Sequence, residues 1–373
     1  MKIYVRESDN LSIQTLSLLF CEDIVITPFL SLEDVSYEDW IIISQVDGMD
    51  ISALKNYHVI IYEKFFQEFY ARVYQEYYNN HDYYYLRNAL LQAKNPEITT
   101  LISGSSYGAF GIDLASMRNS VNLSSISQDL YYSTKLLYQA CAHNKNIKNI
   151  VLCVGYYCFF SDLSLTQNVA ELKRISKVYY PLLQDSHNCF VLPSKGEGYV
   201  QGNIVDLEKN IDIYAKVDYQ DGFFNERRPR SRCATVVWES VTKGWSELSS
   251  EEKENAGKIR AGNHNKNIDH TASFYENIRL FQEFVYYCND REINLLVAAM
   301  PASEQYLQYL IPDYKNIFYS VLDKMDGIIH LVDLVEDNSF DNNLDFNDTD
   351  HLSDSGAIKF SRMVSSILDN INS

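Results

Sequence analysis

Positive charge is scarce in this chain: 32 Lys and Arg stand against 50 Asp and Glu, a net charge of −18 over 373 residues. No long-range positive field would gather phosphate, so neither nucleic acid nor an anionic membrane surface is an expected partner. Long apolar runs are missing as well. No stretch reaches the roughly 18 uninterrupted apolar residues of a membrane-spanning helix. The opening ten residues carry charges where a signal peptide places its apolar core, so a cytoplasmic location is expected. The cysteines (Cys21, Cys141, Cys153, Cys158, Cys189, Cys233 and Cys288) are odd in number and never fall as Cys-x-x-Cys. Free thiols in a reducing compartment follow. There is no Gly-Lys-Ser/Thr phosphate loop, and Gly196-Glu197-Gly198 lacks the strand and helix that would frame a dinucleotide site. The acidic run Asp341 to Asp350 is not a calcium loop, because Phe346 stands where Gly is needed and Leu352 where a bidentate Glu is needed. No metal site is expected.

What is present is a globular composition, 46% hydrophobic and 22% charged, in a chain long enough for one large domain or two. Tyrosine is abundant, with 29 residues; Asn and Ile are abundant too, so base-composition bias explains it better than sugar stacking does. Short Ile- and Val-rich runs at Lys2–Arg6, Asp23–Thr27, Trp40–Ser44 and His58–Tyr62 predict buried strands, with a helix over Ile13–Phe20. They define a small α/β unit. Glu63 to Lys94, free of Gly and Pro, predicts one or two bridging helices, giving an N-terminal region of residues 1–95.

A second alternation begins at Thr99. Strands are predicted at Thr99–Ser103, Ser120–Leu123, Asn149–Gly155, Asn294–Ala299 and Ile328–Leu334. Helices are predicted at about 129–142, Phe274–Cys288, Glu304 to about Lys324, and Ser355–Ile371. Ser273 and Glu276 are spaced as a capping box. The expected fold is a three-layer α/β/α sandwich around a doubly wound parallel sheet over residues 96–373, with an insertion at about 164–266. Ligands of such sheets bind beyond the carboxyl ends of the strands, so the loops there are where chemistry belongs.

Two of those loops carry reactive groups. Ser106 lies in a tight strand-to-helix turn between Gly104 and Gly108, where its backbone N–H joins a helix N-terminus that favours developing negative charge. After the last strand comes Phe346-Asn347-Asp348-Thr349-Asp350-His351-Leu352-Ser353. Asp348 precedes His351 by three residues, so in a turn its carboxylate would hold one imidazole nitrogen while the other faces Ser106. Ser353 is placed to cap the last helix. The remaining histidines are expected to serve structure: His58 and His330 in strands; His81, His143, His187, His264 and His270 in solvent. The insertion holds Arg227, Arg228, Arg230, Arg232 and Trp238. A solvated patch is the commoner reading, and a clamp for the phosphates of coenzyme A or for an anionic sugar the functional one.

These blocks resemble the SGNH (GDSL-like) hydrolase superfamily. Gly104-Ser105-Ser106 with Gly108 is similar to its first block, with Ser105 in place of the family Asp; Gly111-Ile112-Asp113 follows as in polysaccharide-linked members. Asn122 to Asp129 resembles the second block, and Asp348 and His351 the fifth. The third block, Gly-x-Asn, is missing: Gly155-Tyr156-Tyr157 puts Tyr157 where the Asn belongs. The resemblance implies an oxyanion hole from the N–H groups of Ser106 and of Ser127 or Gln128, with the Tyr157 hydroxyl or a second backbone donor in place of the Asn.

The resemblance implies a serine-dependent acyl-ester enzyme with Ser106 as nucleophile, His351 as base and Asp348 orienting it. It further implies a carbohydrate substrate, an O-acetyltransferase or O-acetylesterase of a surface polysaccharide, and no tightly bound cofactor, with acetyl-CoA as a candidate donor. Two alternatives stand beside it: a degenerate saccharide-binding relative, which the Tyr157 substitution suggests, and a nucleotide-sugar binder of the glycosyltransferase kind, since two tandem α/β units describe that class too.

Overall fold

The computed structural model describes residues 2–7, 11–47, 51–193, 206–217 and 244–373. It is an α/β protein with two parallel sheets, of four and five strands, and it divides into two compact units.

The first unit comprises the first 80 residues and the helix Leu207–Val217. Its strands are β1 (Lys2–Val5), β2 (Val25–Pro28), β3 (Trp40–Ile43) and β4 (His58–Ile61), in the order β2-β1-β3-β4. Helix α1 (Ile13–Leu19) joins β1 to β2, and α2 (Tyr62–Asn79) follows β4. Ile41 and Ile43 pack with Phe29, Val35 and Leu54 in a small apolar core.

The second unit begins with α3 (His81–Gln92). Leu86, Ala89 and Leu90 of this helix sit in the second unit's core, so the division falls near residue 80 rather than 95. The strands are β5 (Thr100–Gly104), β6 (Ser120–Asn122), β7 (Asn149–Val154), β8 (Asn294–Ala299) and β9 (His330–Asp333), ordered β6-β5-β7-β8-β9 and all parallel. Alternate residues of the central strands enter two different cores. Leu101, Ile150, Leu152, Leu295 and Val297 pack with α5 (Leu130–His143), α7 (Thr271–Asp290) and α8 (Asp313–Asp323). Ile102, Val151, Cys153, Leu296 and Ala298 pack with Phe360, Val364 and Leu368 of α9 (Asp354–Ile371). Burial on both faces is why these strands read as continuous apolar runs rather than alternating ones.

The strand order reverses at β5: β6 lies on one side of it and β7 on the other. The carboxyl end of β5, where α4 (Ser106–Gly111) starts, is therefore the edge at which such sheets bind ligands.

Some expectations change. The helix predicted from Phe274 begins at Thr271, so Ser273 and Glu276 lie inside it and form no capping box. Glu276 instead accepts a hydrogen bond from Asn188 Nδ2 at 2.9 Å. The helix predicted from Glu304 to Lys324 is split into Glu304–Leu307 and α8, with Pro312 at the start of the second piece. Inside the expected insertion lies α6 (Ser250–Asn265), opened by a capping box between Ser249 and Glu252. The glycines Gly196, Gly198 and Gly202 fall outside the described residues.

Candidate active site

Glycine sets the turn after β5. Gly104 has φ +146°, and a Cβ on it would lie 2.1 Å from the carbonyl oxygen of Cys153. Only glycine permits that approach of β5 to β7. The chain then enters α4, with Ser105 as N-cap accepting from Tyr107 N at 3.4 Å. Ser106 is therefore the first helical residue, its N–H among those a helix start leaves unpaired. Asn122 braces the turn from β6, its Nδ2 donating to Gly108 O at 2.9 Å.

The loop after β9 is equally fixed. Phe346 and Leu352 form an antiparallel bridge, and Asn347 N donates to His351 O at 2.8 Å. Inside it Asp348 Oδ1 accepts from the backbone N–H groups of Asp350 and His351, at 3.0 and 2.9 Å. This Asx turn explains why a spacing of three residues suffices: the carboxylate that closes the turn also meets the imidazole. Ser353 caps α9, accepting from Gly356 N at 3.3 Å, and so fixes where the loop ends.

The two loops meet. His351 Nε2 lies 2.7 Å from Ser106 Oγ, and Nδ1 lies 2.9 Å from Asp348 Oδ2. The Asp348 contact selects the Nδ1–H tautomer, leaving Nε2 to accept the serine proton. His351 is buried, with 8% of its side chain exposed, whereas Asp348 keeps 31%. Burial alone would lower the imidazole pKa, but Asp348 and Asp350 outweigh it and hold it above the ordinary histidine value.

A second layer lies behind this pair. Asp350, 1% exposed, is 3.6 Å from His351 Nδ1. Arg260 Nε, from α6, reaches both its oxygens at 3.0 Å, and Tyr107 OH donates to Oδ2 at 2.9 Å. Burial would raise the Asp350 pKa, yet Arg260 and His351 hold it well below the usual carboxylate range. His264, also on α6, stacks on Tyr157 at 4.0 Å and pairs through Nδ1 with Tyr306 OH at 2.6 Å. Burial and then Arg260 push its pKa down to about 3, so it stays neutral.

Ser106, His351 and Asp348 are thus brought together; other expected site residues are not. The backbone N–H of Gln128 donates to Ser125 O at 3.2 Å, and its buried side chain bonds Ser103, Leu123, Ser133 and Tyr179. Gln128 is a brace rather than an oxyanion donor. Tyr157 is likewise committed: Tyr107 must give its proton to the ionised Asp350, so at 3.3 Å the Tyr157 hydroxyl donates to Tyr107. Ser127 stands at φ 53°, the left-handed region that favours glycine. Arg227, Arg228, Arg230, Arg232 and Trp238 lie outside the described residues. His81, His187 and His264, expected in solvent, have buried side chains.

Among the described residues, two acid–histidine trios are close enough to hold a metal, Asp348 with Asp350 and His351, and Asp129 with Asp162 and His187. In the first, the Arg260 guanidinium already occupies the face of Asp350. In the second, Asp129 accepts from Tyr132 N and Leu163 N, and Asp162 from Ser164 and Asn188. In both trios these contacts already serve the fold.

Arg260, Asp350 and Tyr107 are the residues that sequence reasoning missed. A Ser-x-x-Glu capping box at Ser249 and Glu252 was there to mark the helix that carries Arg260. No protein-family model matches the chain, and a search of curated proteins returns no match. No helix among the described residues is long and apolar enough to cross a membrane.

Proposed function

We propose that the protein is a serine-dependent acyl-ester enzyme of the SGNH type, its second unit a three-layer α/β/α sandwich with Ser106 as nucleophile. The observation that carries this is the Ser106 Oγ to His351 Nε2 contact of 2.7 Å, with Asp348 on the other imidazole nitrogen, at the switch point of a parallel sheet. His351 Nε2 takes the serine proton as Oγ adds to the ester carbonyl, and it returns that proton to the departing alcohol or thiol as the tetrahedral intermediate collapses. Water or a sugar hydroxyl then attacks the acyl-serine, giving its proton to Nε2, and Oγ recovers the proton on release. Asp348 keeps the Nδ1–H tautomer throughout and balances the imidazolium.

The oxyanion would be held by the Ser106 N–H at the start of α4 and by the Ser127 N–H, with no side-chain donor where the family has Asn. One missing donor costs on the order of a hundredfold or more, which points to a slow turnover or to an activated ester as substrate. The resemblance to polysaccharide-linked members favours an O-acetyl group on a carbohydrate, transferred from a donor such as acetyl-CoA, with hydrolysis by the same relay as the alternative.

The test is acyl release from p-nitrophenyl acetate and from acetyl-CoA, with and without candidate saccharides, beside labelling by a fluorophosphonate. Labelling that disappears in Ser106→Ala and His351→Ala is expected; a folded wild-type protein that neither labels nor releases acyl groups overturns the reading. Acceptor-dependent release from acetyl-CoA would mark a transferase, and release to water alone an esterase.

A further inference from the structure

Two carboxylates face one imidazole nitrogen, and only one of them bonds to it. Asp348 takes the Nδ1–H at 2.9 Å, while Asp350 stands 3.6 Å from the same atom. Nothing in the serine chemistry calls for a second charge there, and an ionised carboxylate with 1% of its side chain exposed is costly unless it is paired. Its partners are specific. Arg260 reaches both oxygens from α6, Thr349 Oγ1 donates to Oδ1 at 3.1 Å, and Tyr107, the residue after Ser106, donates to Oδ2. One carboxylate therefore ties the histidine loop to the serine turn and both of them to α6.

We propose that Arg260, acting through Asp350, is a positioning residue for His351: it offsets the field of a second buried carboxylate beside the imidazole, and it lets that carboxylate clamp the Ser106–Tyr107 turn against the histidine loop. The inference rests on the reading of Ser106 and His351 as nucleophile and base. The groups facing His351 are Asp348 and Asp350 from its own loop; Ser106, Tyr107 and the Phe110 ring from α4; and Arg260 with the neutral His264 from α6. Only Arg260 brings a positive charge among them.

The sign follows. A general base must be neutral, so the reaction fails at the acid side as the imidazole protonates. Without the guanidinium, Asp350 is left uncompensated and favours imidazolium, which moves the acid limb to higher pH. Removing the carboxylate instead moves it to lower pH. A charge at this distance moves a titration by about one unit or more.

The experiment is the pH dependence of the fluorophosphonate labelling rate of the full chain, with folding checked by circular dichroism. Arg260→Gln is expected to shift the acid limb up by about one pH unit and Asp350→Asn to shift it down, while the double variant returns near the wild type. Arg260→Lys should keep the wild-type limb. Tyr107→Phe should lower the plateau rate severalfold without moving the limb, because it loosens the clamp and leaves the charges in place. An unmoved limb in folded Arg260→Gln, or a limb that moves the same way in both single variants, overturns the proposal. If Arg260→Gln fails to fold, Asp350→Asn decides alone, and no downward shift sinks it. If the wild type never labels, the reading of Ser106 has failed instead. The His351 ring-proton titration by NMR in wild type and Arg260→Gln then still decides whether the guanidinium holds the imidazole down.

Discussion

Among the described residues of the second unit, a serine, an imidazole and carboxylates meet at two places, and the proton runs in opposite directions. At the carboxyl end of β5, Ser106 Oγ finds His351 Nε2 at 2.7 Å as its acceptor among the described residues. In the segment after β7, Ser164 Oγ lies 3.2 Å from His187 Nδ1, and His187 Nε2 lies 3.4 Å from Glu276. By composition these are the same trio. Ser164, however, donates its proton to Asp162 Oδ1 at 2.5 Å, and its oxygen accepts from Asn188 N at 3.3 Å. His187 must then donate rather than accept, with Tyr131 stacked on its ring at 3.7 Å. A nucleophile needs an imidazole with a free lone pair; a carboxylate that reaches the hydroxyl first turns the same residues into a structural knot.

The sharpest break of this comparison is to remove each hydroxyl in turn. Ser106→Ala should lower fluorophosphonate labelling at least a thousandfold with little change in thermal stability. Ser164→Ala should leave labelling within about twofold and cost about 1–2 kcal/mol, since it strips a partner from buried polar groups. Labelling that survives in the first variant and vanishes in the second would assign the chemistry to the wrong trio.

The contrast also shows how far the sequence reaches. Both trios are present as residue types, but only the first sits in local patterns that carry geometry. Gly104 and Gly108 bracket a strand-to-helix turn, and Asp348 lies three residues before His351, where an Asx turn closes on the imidazole. All nine strands of the described residues were legible as short apolar runs because the sheets are parallel and the runs short. What was hidden depends on distant partners. Arg260 and His264 ride on α6, whose buried positions are Lys253, Gly257, Ala261 and His264, so no apolar stripe announces it. Tyr157 was legible as the residue standing where the motif it resembles carries Asn, but the acceptor of its proton is Tyr107, 50 positions away. Gln128 was misread for a similar reason: the direction of a backbone N–H is set by the turn at Ser127, not by residue type.

Helix α6 offers a smaller effect that touches the first trio alone. A Cβ on Gly257 would lie 2.2 Å from the backbone oxygen of Gln305, whereas one on Gly262 would meet nothing within 4 Å. Gly257→Ala must push α6 away from the Glu304–Leu307 turn and carry Arg260 with it. The expected cost is about 1–3 kcal/mol, with slower labelling of Ser106. Gly262→Ala relieves a helix-interior glycine and should stabilise by about 0.5–1 kcal/mol with labelling unchanged. Equal stabilities for the two variants in denaturant melts would contradict the close helix packing that places the guanidinium.

The second trio makes its own prediction, which is about stability rather than chemistry. Burial would lower the His187 pKa, but the hydrogen bond to Asp162 and the charges of Asp129, Asp162 and Glu276 raise it above the ordinary histidine value. A raised imidazole binds its proton more tightly folded than unfolded, so it stabilises the fold below the unfolded pKa and loses that contribution as pH rises through the folded one. Asp129, which burial pushes up to about 6 against the N–H groups of Tyr132 and Leu163, acts in the same direction at lower pH. Between pH 6 and 8.5 the wild type should therefore lose more melting temperature than His187→Gln, by a few degrees. Labelling of Ser106 should be alike in the two proteins at any pH where both are folded. A His187→Gln protein with the wild-type slope would mean that the folded and unfolded chains bind the His187 proton equally, and a slope of the opposite sign that burial keeps the ring neutral; either result would contradict a proton held by the carboxylates around it.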